Sequence, residues 1–175
     1  PDVDYETEYN NRARVPENPA IIAGWSRDAK AYREAHQARH KVIAYGAGER
    51  NRIDLFSGDG AGPIVVFIHG GYWQRNAKET FACMAAGPLA NGMDVAFLGY
   101  TLAPDATLSA IVAEIAEAVR WLRREGPSHG VAQGRLVVSG WSAGGHLTAT
   151  TRAMDEVDAG LAISSIYDVE PCRLN

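Results

Sequence analysis

Residues 136–144 read LVVSGWSAG, in which a short apolar run leads into the pattern G-x-S-x-G. The run predicts a buried strand, and the residues after Ser142 predict a helix that begins at the turn. A turn this tight strains the backbone of the serine and lifts its hydroxyl out at the carboxyl end of the sheet. The residues two positions before and after the serine must be small, because larger ones would collide with the neighbouring strand and helix. Ser142 is therefore the candidate nucleophile; the alternative is a serine that only caps the helix.

The rest of the chain alternates strand-like and helix-like segments around this turn. Strands alternating with helices, after a short hairpin, predict an α/β fold. Its sheet is expected to be mostly parallel and doubly wound, with helices on both faces. The predicted strands are residues 42–45, 53–56, 64–68, 95–98, 136–139 and 161–166, and the predicted helices are residues 20–40, 76–91, 107–125 and 142–154.

The composition describes one ordinary domain. Of the 175 residues 46% are hydrophobic, and 17 basic against 21 acidic side chains leave a net charge of −4. A mildly acidic chain predicts no nucleic-acid partner, since phosphate binding needs a basic face. No apolar run approaches the length of a membrane span, so no membrane partner is expected. Two cysteines predict a reducing, cytoplasmic location.

Residues 1–19 are polar and are predicted to form an N-terminal arm. Residues 20–175 are predicted to be the N-terminal portion of a single α/β domain. The chain contains no metal-binding spacing and no glycine-rich dinucleotide motif between a strand and a helix. We therefore expect neither a metal nor another cofactor.

A second motif, His69-Gly70-Gly71-Tyr72-Trp73, directly follows the predicted strand of residues 64–68. A glycine pair lets the backbone turn sharply and point N–H groups at an oxyanion. Hydrolases with a G-x-S-x-G turn take one donor from the residue after the serine and others from such a loop. The candidate oxyanion hole is therefore made by Gly70, Gly71 and Ala143. The alternative is a plain glycine turn that closes a strand.

The two motifs HGGYW (residues 69–73) and GWSAGGH (residues 140–146) together resemble the kynurenine formamidase (arylformamidase) branch of the α/β-hydrolases. They are also similar to the wider hormone-sensitive-lipase-like esterases. The stretches YNNR, YTLAPD and IYD, at residues 9–12, 100–105 and 166–168, are similar to the same branch. The resemblance implies an α/β-hydrolase fold with Ser142 as nucleophile. It also implies cleavage of a small N-formyl aryl amide, such as N-formylkynurenine, or of a short-chain ester.

Aromatic residues flank both motifs. Tyr72, Trp73 and Trp141 are candidates for the walls of a pocket that accepts a flat, small-molecule acyl substrate. The alternative is that they pack in the core, where tryptophan is often largely buried. A homodimer is compatible with the fold class, although no patch of the sequence argues for one.

A serine nucleophile needs a general base and an acid that orients it. After Ser142 the chain holds one histidine, His146, which is expected to point along the helix rather than over the hydroxyl. His69 is expected to support the glycine loop, and Asp168 is a possible acid. The resemblance instead places the acid and the histidine beyond residue 175, and we expect the sheet to lack its C-terminal strands.

Two classes of function stay open at this point. The first is a serine hydrolase, either an arylformamidase or a general short-chain carboxylesterase. The second is a non-catalytic, hydrolase-like binding module, which is suggested by the absence of an evident base and acid in these residues. Hydrolysis and covalent labelling of Ser142 would distinguish them.

Overall fold

A mixed sheet organises the chain, of which the computed structural model describes residues 4–58 and 62–174. Its strands are β1 (His40–Ala44), β2 (Arg52–Phe56), β3 (Ile64–Ile68), β4 (Asp94–Leu98), β5 (Leu136–Trp141) and β6 (Ala159–Ile163). They lie in the order β1-β2-β4-β3-β5-β6. β1 pairs antiparallel with β2 and β2 with β4, whereas β4, β3, β5 and β6 are parallel neighbours. The predicted α/β fold is confirmed.

Helices precede and connect these strands. The α-helices are α1 (Tyr5–Tyr9), α2 (Asn11–Arg14), α3 (Asn18–Ala35), α4 (Ala86–Ala90), α5 (Leu108–Glu125), α6 (Ala143–Thr151) and α7 (Glu170–Leu174). Short 3-10 helices cover Gln37–Arg39, Lys78–Ala85 and Gly126–His129. Within the described ranges, no helix combines the length and the apolar character that crossing a membrane requires.

The apolar faces of the helices cover both faces of the sheet. On one face, α5 and α6 bury side chains such as Ile115, Leu122 and Leu147 against the strands. On the other face, α3 and the 3-10 helix Lys78–Ala85 pack against Phe67 and Phe97. Helices on both faces are what right-handed crossovers between parallel strands produce.

The helix predicted over residues 107–125 is confirmed. Its apolar positions recur at helical spacing, and Ile111 and Ile115 are fully buried. Thr107 caps its start, since the hydroxyl oxygen accepts the Ala110 N–H at 3.2 Å. An accepting side chain at this position satisfies one of the N–H groups that lack a partner in the first turn.

The single helix predicted over residues 76–91 is wrong. The 3-10 helix Lys78–Ala85 is followed by the short α4, and Met84, which was predicted on the buried stripe, is exposed. Pro88 explains the break. It has no N–H for the Met84 carbonyl, so it fits only in the first turn of a new helix.

The last strand of the structure also differs from the prediction. β6 ends at Ile163 rather than residue 166, and Leu161 and Ile163 are exposed instead of buried. Among the described residues β6 pairs only with β5, so one edge and much of its surface stay uncovered. At the other end of the chain, α3 begins at Asn18, two residues earlier than predicted, and the predicted arm contains α1 and α2.

The topology brings the two glycine motifs together. β3 and β5 are adjacent and parallel, with Ile68 opposite Gly140. Parallel neighbours end at the same edge of a sheet, so the residues after Ile68 and those after Gly140 share one location.

Candidate active site

Ser142 lies between the last residue of β5 and the first residue of α6. Its backbone has φ 56° and ψ −118°, a conformation that L-residues rarely adopt. The Ser142 N–H donates to the Ile163 carbonyl at 2.9 Å, which ties the turn to β6. Strain of this kind persists only where the surrounding structure imposes it, and it concentrates at functional sites.

Backbone contacts impose the shape of the turn. A Cβ atom at Gly144 would lie 2.0 Å from the Ile68 carbonyl oxygen, and one at Gly140 would lie 2.1 Å from the Gly144 carbonyl oxygen. Real Cβ atoms do not approach that closely, and backbone oxygens in packed strands cannot move aside. Only glycine fits at the two positions where the sequence pattern requires small residues.

The start of α6 supplies free backbone donors next to the serine. Ala143 is the first residue of the helix and is fully buried. An N–H at this position has no intrahelical acceptor. The Gly145 and His146 N–H groups donate to the Ser142 carbonyl, at 2.8 and 3.2 Å. The Ala143 N–H is therefore a backbone donor without an intrahelical acceptor, directly after Ser142.

We define residues 69–76 as the glycine loop. It packs directly against the serine, because a Cβ atom at Gly70 would lie 3.1 Å from the Ser142 Cβ and 2.5 Å from the Trp141 carbonyl oxygen. Gly71 has φ 124°, and a Cβ there would meet the Arg75 carbonyl at 2.4 Å. Tyr72, Trp73 and Asn76 also have positive φ angles, of 58°, 57° and 69°.

Two side chains hold one peptide of this loop in place. The His69 Nδ1 donates to the Gly70 carbonyl at 2.9 Å, and the Asn76 amide donates to the same oxygen at 3.0 Å. The carbonyl of Gly70 and the N–H of Gly71 belong to one planar trans peptide and point in opposite directions. Holding the carbonyl therefore turns the Gly71 N–H away from His69 and Asn76.

His69 is a neutral structural group. It is fully buried, and its ring stacks on Tyr100 with centroids 4.4 Å apart. The Tyr100 hydroxyl donates to the His69 carbonyl at 2.9 Å. Burial lowers the pKa of His69 to about 4, so the imidazole stays uncharged near neutral pH. With Nδ1 donating to Gly70, the ring supports the loop.

A cavity of about 650 Å³ opens over the serine. Tyr72 and Trp141, two of the three residues predicted as pocket walls, line it together with Ser142. Trp73 does not line it. Its side chain is buried in the core, with its ring edge-on to His146 at 5.3 Å.

The family model BD-FAE matches residues 56–165, more than half of the chain. The chain belongs to the BD-FAE family. Kynurenine formamidase of Salmo salar is 29% identical over 140 residues, which cover 74% of this chain and 46% of that relative. Isoprenylcysteine alpha-carbonyl methylesterase of Arabidopsis thaliana is 29% identical over 132 residues, 74% of this chain and 31% of that protein. The chain thus spans about half the length, or less, of these curated relatives.

Solved structures agree on the fold. A candidate thioesterase from Silicibacter sp. superposes with a TM-score of 0.87 at 30% identity and covers 98% of this chain and 67% of its own. An esterase from the archaeon Pyrobaculum calidifontis has a TM-score of 0.66 at 23% identity, with coverages of 84% and 52%. The second likeness shows the fold alone. The curated relatives and the first of these structures place the BD-FAE chain in the esterase and formamidase branch of the α/β-hydrolases.

No histidine of this BD-FAE chain bonds to the Ser142 hydroxyl within residues 4–58 and 62–174. His146 lies one turn along α6, and burial lowers the pKa of its imidazole. Asp168 is exposed and accepts the Glu170 N–H at 3.0 Å, so it organises the start of α7. The structure thus brings Ser142, Gly70, Gly71 and Ala143 together, and in the part of the chain that it describes Asp168 is bonded to no histidine. The described residues also contain no cluster of side chains suited to a metal ion.

Sequence reasoning missed the N-terminal wall of the cavity. Tyr9, Asn10 and Arg12 line it together with Asn18 and Pro19. The stretch at residues 9–12 is similar to the formamidase branch, which was the available signal. Nothing in its local pattern shows that it folds back over a serine more than 120 residues later.

Proposed function

We propose that this chain carries the nucleophile and the oxyanion-binding backbone of a serine hydrolase that cleaves small acyl amides or esters. The observation that carries the proposal is the packing of Gly70 against Ser142, at the point where β5 turns into α6. A strained serine beside free backbone N–H groups is the arrangement that acyl transfer needs.

In the proposed reaction the Ser142 oxygen bonds to the substrate carbonyl carbon while a general base takes the hydroxyl proton. The carbonyl oxygen becomes an oxyanion that accepts hydrogen bonds from backbone N–H groups of Gly70, Gly71 and Ala143. Collapse of this intermediate breaks the bond to the amine or alcohol, which leaves with the proton from the base. Water then releases the acid from Ser142 by the same steps. Each oxyanion donor is worth about 3 kcal/mol in the transition state.

The proposal assigns the base and its orienting acid to a histidine and a carboxylate outside the described residues. His69 does not fit the role, because it is fully buried, its Nδ1 already donates to the Gly70 carbonyl, and a pKa of about 4 makes it a weak base. The ring of His146 lies edge-on to Trp73, and among the described residues that ring forms no hydrogen bond with the Ser142 hydroxyl. The aligned segment covers less than half of each of the curated relatives described above, which is consistent with this assignment.

The substrate class that we propose first is a small aryl formamide of the N-formylkynurenine type. Two observations support it: several relatives are named kynurenine formamidase, and aromatic rings of Tyr72 and Trp141 line the cavity beside Ser142. A short-chain ester is the alternative, since other relatives are named methylesterases.

Covalent labelling tests the nucleophile. The intact mass is measured before and after exposure to a fluorophosphonate, for the wild type, Ser142→Ala and the control Ser109→Ala. Ser109 is an exposed residue of α5. We expect one adduct on the wild type and on Ser109→Ala and none on Ser142→Ala. An unlabelled wild type, in the longest form of the protein that folds, would reject the hydrolase and favour a non-catalytic binding module.

Relative kcat/KM values on N-formylkynurenine and 4-nitrophenyl acetate test the substrate class. We expect the formamide to be the better substrate. Rapid ester hydrolysis with negligible formamidase activity would replace the arylformamidase by a carboxylesterase and leave the nucleophile assignment intact.

A further inference from the structure

The cavity over Ser142 has an uneven charge. Arg12 and Arg75 line it, and no Asp or Glu among the described residues does so. The other polar walls come from amide side chains, such as Asn18 and Gln74, which carry no charge. This is unexpected in a chain whose net charge is −4.

The same two arginines mark the boundary to a second cavity. A space of about 410 Å³ adjoins the first, and Arg12 and Arg75 line both. Ser142 lines only the first cavity. A ligand with its acyl carbon at Ser142 would therefore extend toward the two guanidinium groups.

Within the described ranges the guanidinium groups of Arg12 and Arg75 form no ion pair, and both side chains are exposed. Arg14, two residues from Arg12 on the same helix, pairs with Glu8 at 3.3 Å, and Arg123 pairs with Asp158 at 2.6 Å. Two cations without a counter-ion at one cavity wall repel each other, and an anion between them removes that repulsion.

We propose that Arg12 and Arg75 bind a carboxylate of the substrate, so that this site selects small acyl compounds that carry one. Guanidinium groups bind carboxylates with two parallel hydrogen bonds, which adds orientation to the charge attraction. The inference rests on the proposed function in one respect, because the bound carboxylate belongs to a substrate only when Ser142 cleaves an acyl bond of the same molecule. The anion-binding site itself stands on the charges of the cavity.

Binding tests the anion site without turnover. Calorimetry compares phenylacetate with phenylacetamide, which has nearly the same shape but no charge, on the Ser142→Ala variant. We expect the carboxylate to bind at least about tenfold more tightly at low salt, and the preference to shrink as salt screens the charges. A second substitution in this variant, Arg12→Gln or Arg75→Gln, should remove most of the preference for phenylacetate over phenylacetamide.

Arg135→Gln is the matched control. Arg135 is exposed and precedes β5, at the end of the sheet opposite Ser142, and it lines neither cavity. We expect its removal to leave the preference for phenylacetate unchanged. Equal binding of phenylacetate and phenylacetamide, or an equal loss in Arg135→Gln, would overturn the proposal.

Turnover shows which part of the substrate carries the carboxylate. One arm compares mono-4-nitrophenyl glutarate with 4-nitrophenyl pentanoate, which places the charge on the acyl side. The other compares 4-acetoxybenzoate with its methyl ester, which places the charge on the leaving group. We expect one charged member to exceed its neutral partner about tenfold in kcat/KM, and Arg12→Gln and Arg75→Gln to erase that ratio.

The two proposals fail in different ways. Hydrolysis of all four esters without a charge preference overturns the carboxylate site and keeps the hydrolase. Selective binding of phenylacetate, without labelling of Ser142 or hydrolysis of any ester, rejects the hydrolase and keeps an anion-binding site.

Discussion

The turn at Ser142 and the glycine loop are neighbours in space, and both hold the backbone in conformations that L-residues rarely adopt. They are held by different forces. At the Ser142 turn, backbone atoms of β3 and α6 leave no room for a side chain at Gly140 or Gly144. In the glycine loop, hydrogen bonds from His69 and Asn76 hold the Gly70 carbonyl.

The difference shows two ways of pre-organising a site. Steric exclusion is carried by the glycines themselves and is visible in a local pattern of five residues. The hydrogen-bonded loop depends on partners that are distant in sequence, since Tyr100 bonds the His69 carbonyl and Arg50 bonds the Asn76 carbonyl at 2.7 Å. The stability of the Ser142 turn should therefore be sensitive to added side-chain volume. The stability of the glycine loop should be sensitive to the loss of hydrogen-bond donors and to protonation of His69.

The largest effect is expected from adding one methyl group to the turn. In Gly144→Ala the new Cβ would meet the Ile68 carbonyl oxygen at 2.0 Å, so β3 and α6 would have to separate. We expect a loss of more than about 4 kcal/mol in the free energy of unfolding, measured by urea denaturation, or no folding at all.

Gly24→Ala is the control for that substitution. Gly24 lies inside α3, and its Cβ would come no closer than 3.7 Å to another residue. We expect it to stabilise the protein by up to about 1 kcal/mol, because alanine favours the helix. Similar stabilities for the two alanine variants would contradict the steric account of the turn.

Protonation of His69 is expected to act on the glycine loop. Burial lowers its pKa from 6.5 to about 4 in the folded protein, so between these values the unfolded chain binds the extra proton. Protonation of the unfolded chain is therefore expected to lower the free energy of unfolding by about 3 kcal/mol in total as the pH falls from 6.5 toward 4.

The variant His69→Gln lacks this titration. We expect the difference in unfolding free energy between the wild type and His69→Gln to shrink by that amount from pH 7 to pH 4. The contributions of the other titratable groups cancel in this difference, because both proteins contain them. Urea unfolding at several pH values measures it. A difference that stays constant with pH would show that His69 is not held neutral.

Removing one donor of the glycine loop should have a smaller effect on stability. Asn76→Ala loses the bond to the Gly70 carbonyl and places alanine at φ 69°, so we expect a loss of about 2 kcal/mol. For the proposed hydrolase we expect kcat to fall about tenfold with little change in KM, because the Gly71 N–H would be less well oriented.

Asn91→Ala removes a bond of the same kind at the surface. The Asn91 amide donates to the Gly87 carbonyl at 2.9 Å, and both groups are exposed. We expect a change within about 0.5 kcal/mol and an unchanged kcat. If Asn76→Ala had an effect as small as that of Asn91→Ala, His69 alone would hold the peptide between Gly70 and Gly71.

The smallest expected effect is a gain in stability. Ser142→Gly relieves a backbone with φ 56°, which glycine adopts without penalty, and we expect the unfolding free energy to rise by about 1 kcal/mol while labelling is abolished. Thermal unfolding of Ser142→Gly beside Ser142→Ala, which keeps the Cβ, separates relief of strain from loss of the hydroxyl. Equal stabilities would show that the serine backbone is not strained.

Local patterns predicted the α/β class, the parallel strands and α5 correctly, because apolar periodicity and caps act over a few residues. They failed where an element depends on its surroundings. β6 has an apolar sequence but is exposed, since only β5 pairs with it among the described residues. Residues 76–91 have helical spacing, yet Pro88 and the packing against α3 divide them into a 3-10 helix and α4.

The sequence by itself determined the turn at Ser142 and the glycine loop after β3, because glycines at set spacings permit backbone shapes that other residues cannot adopt. Only the tertiary structure decided which side chains surround them. Parallel pairing of β3 and β5 brings Gly70 against Ser142, and the folding of the N-terminal segment brings Arg12 to the cavity that Arg75 lines. Contacts between residues so far apart in the chain follow from packing of the whole sheet and its helices, which no local pattern encodes.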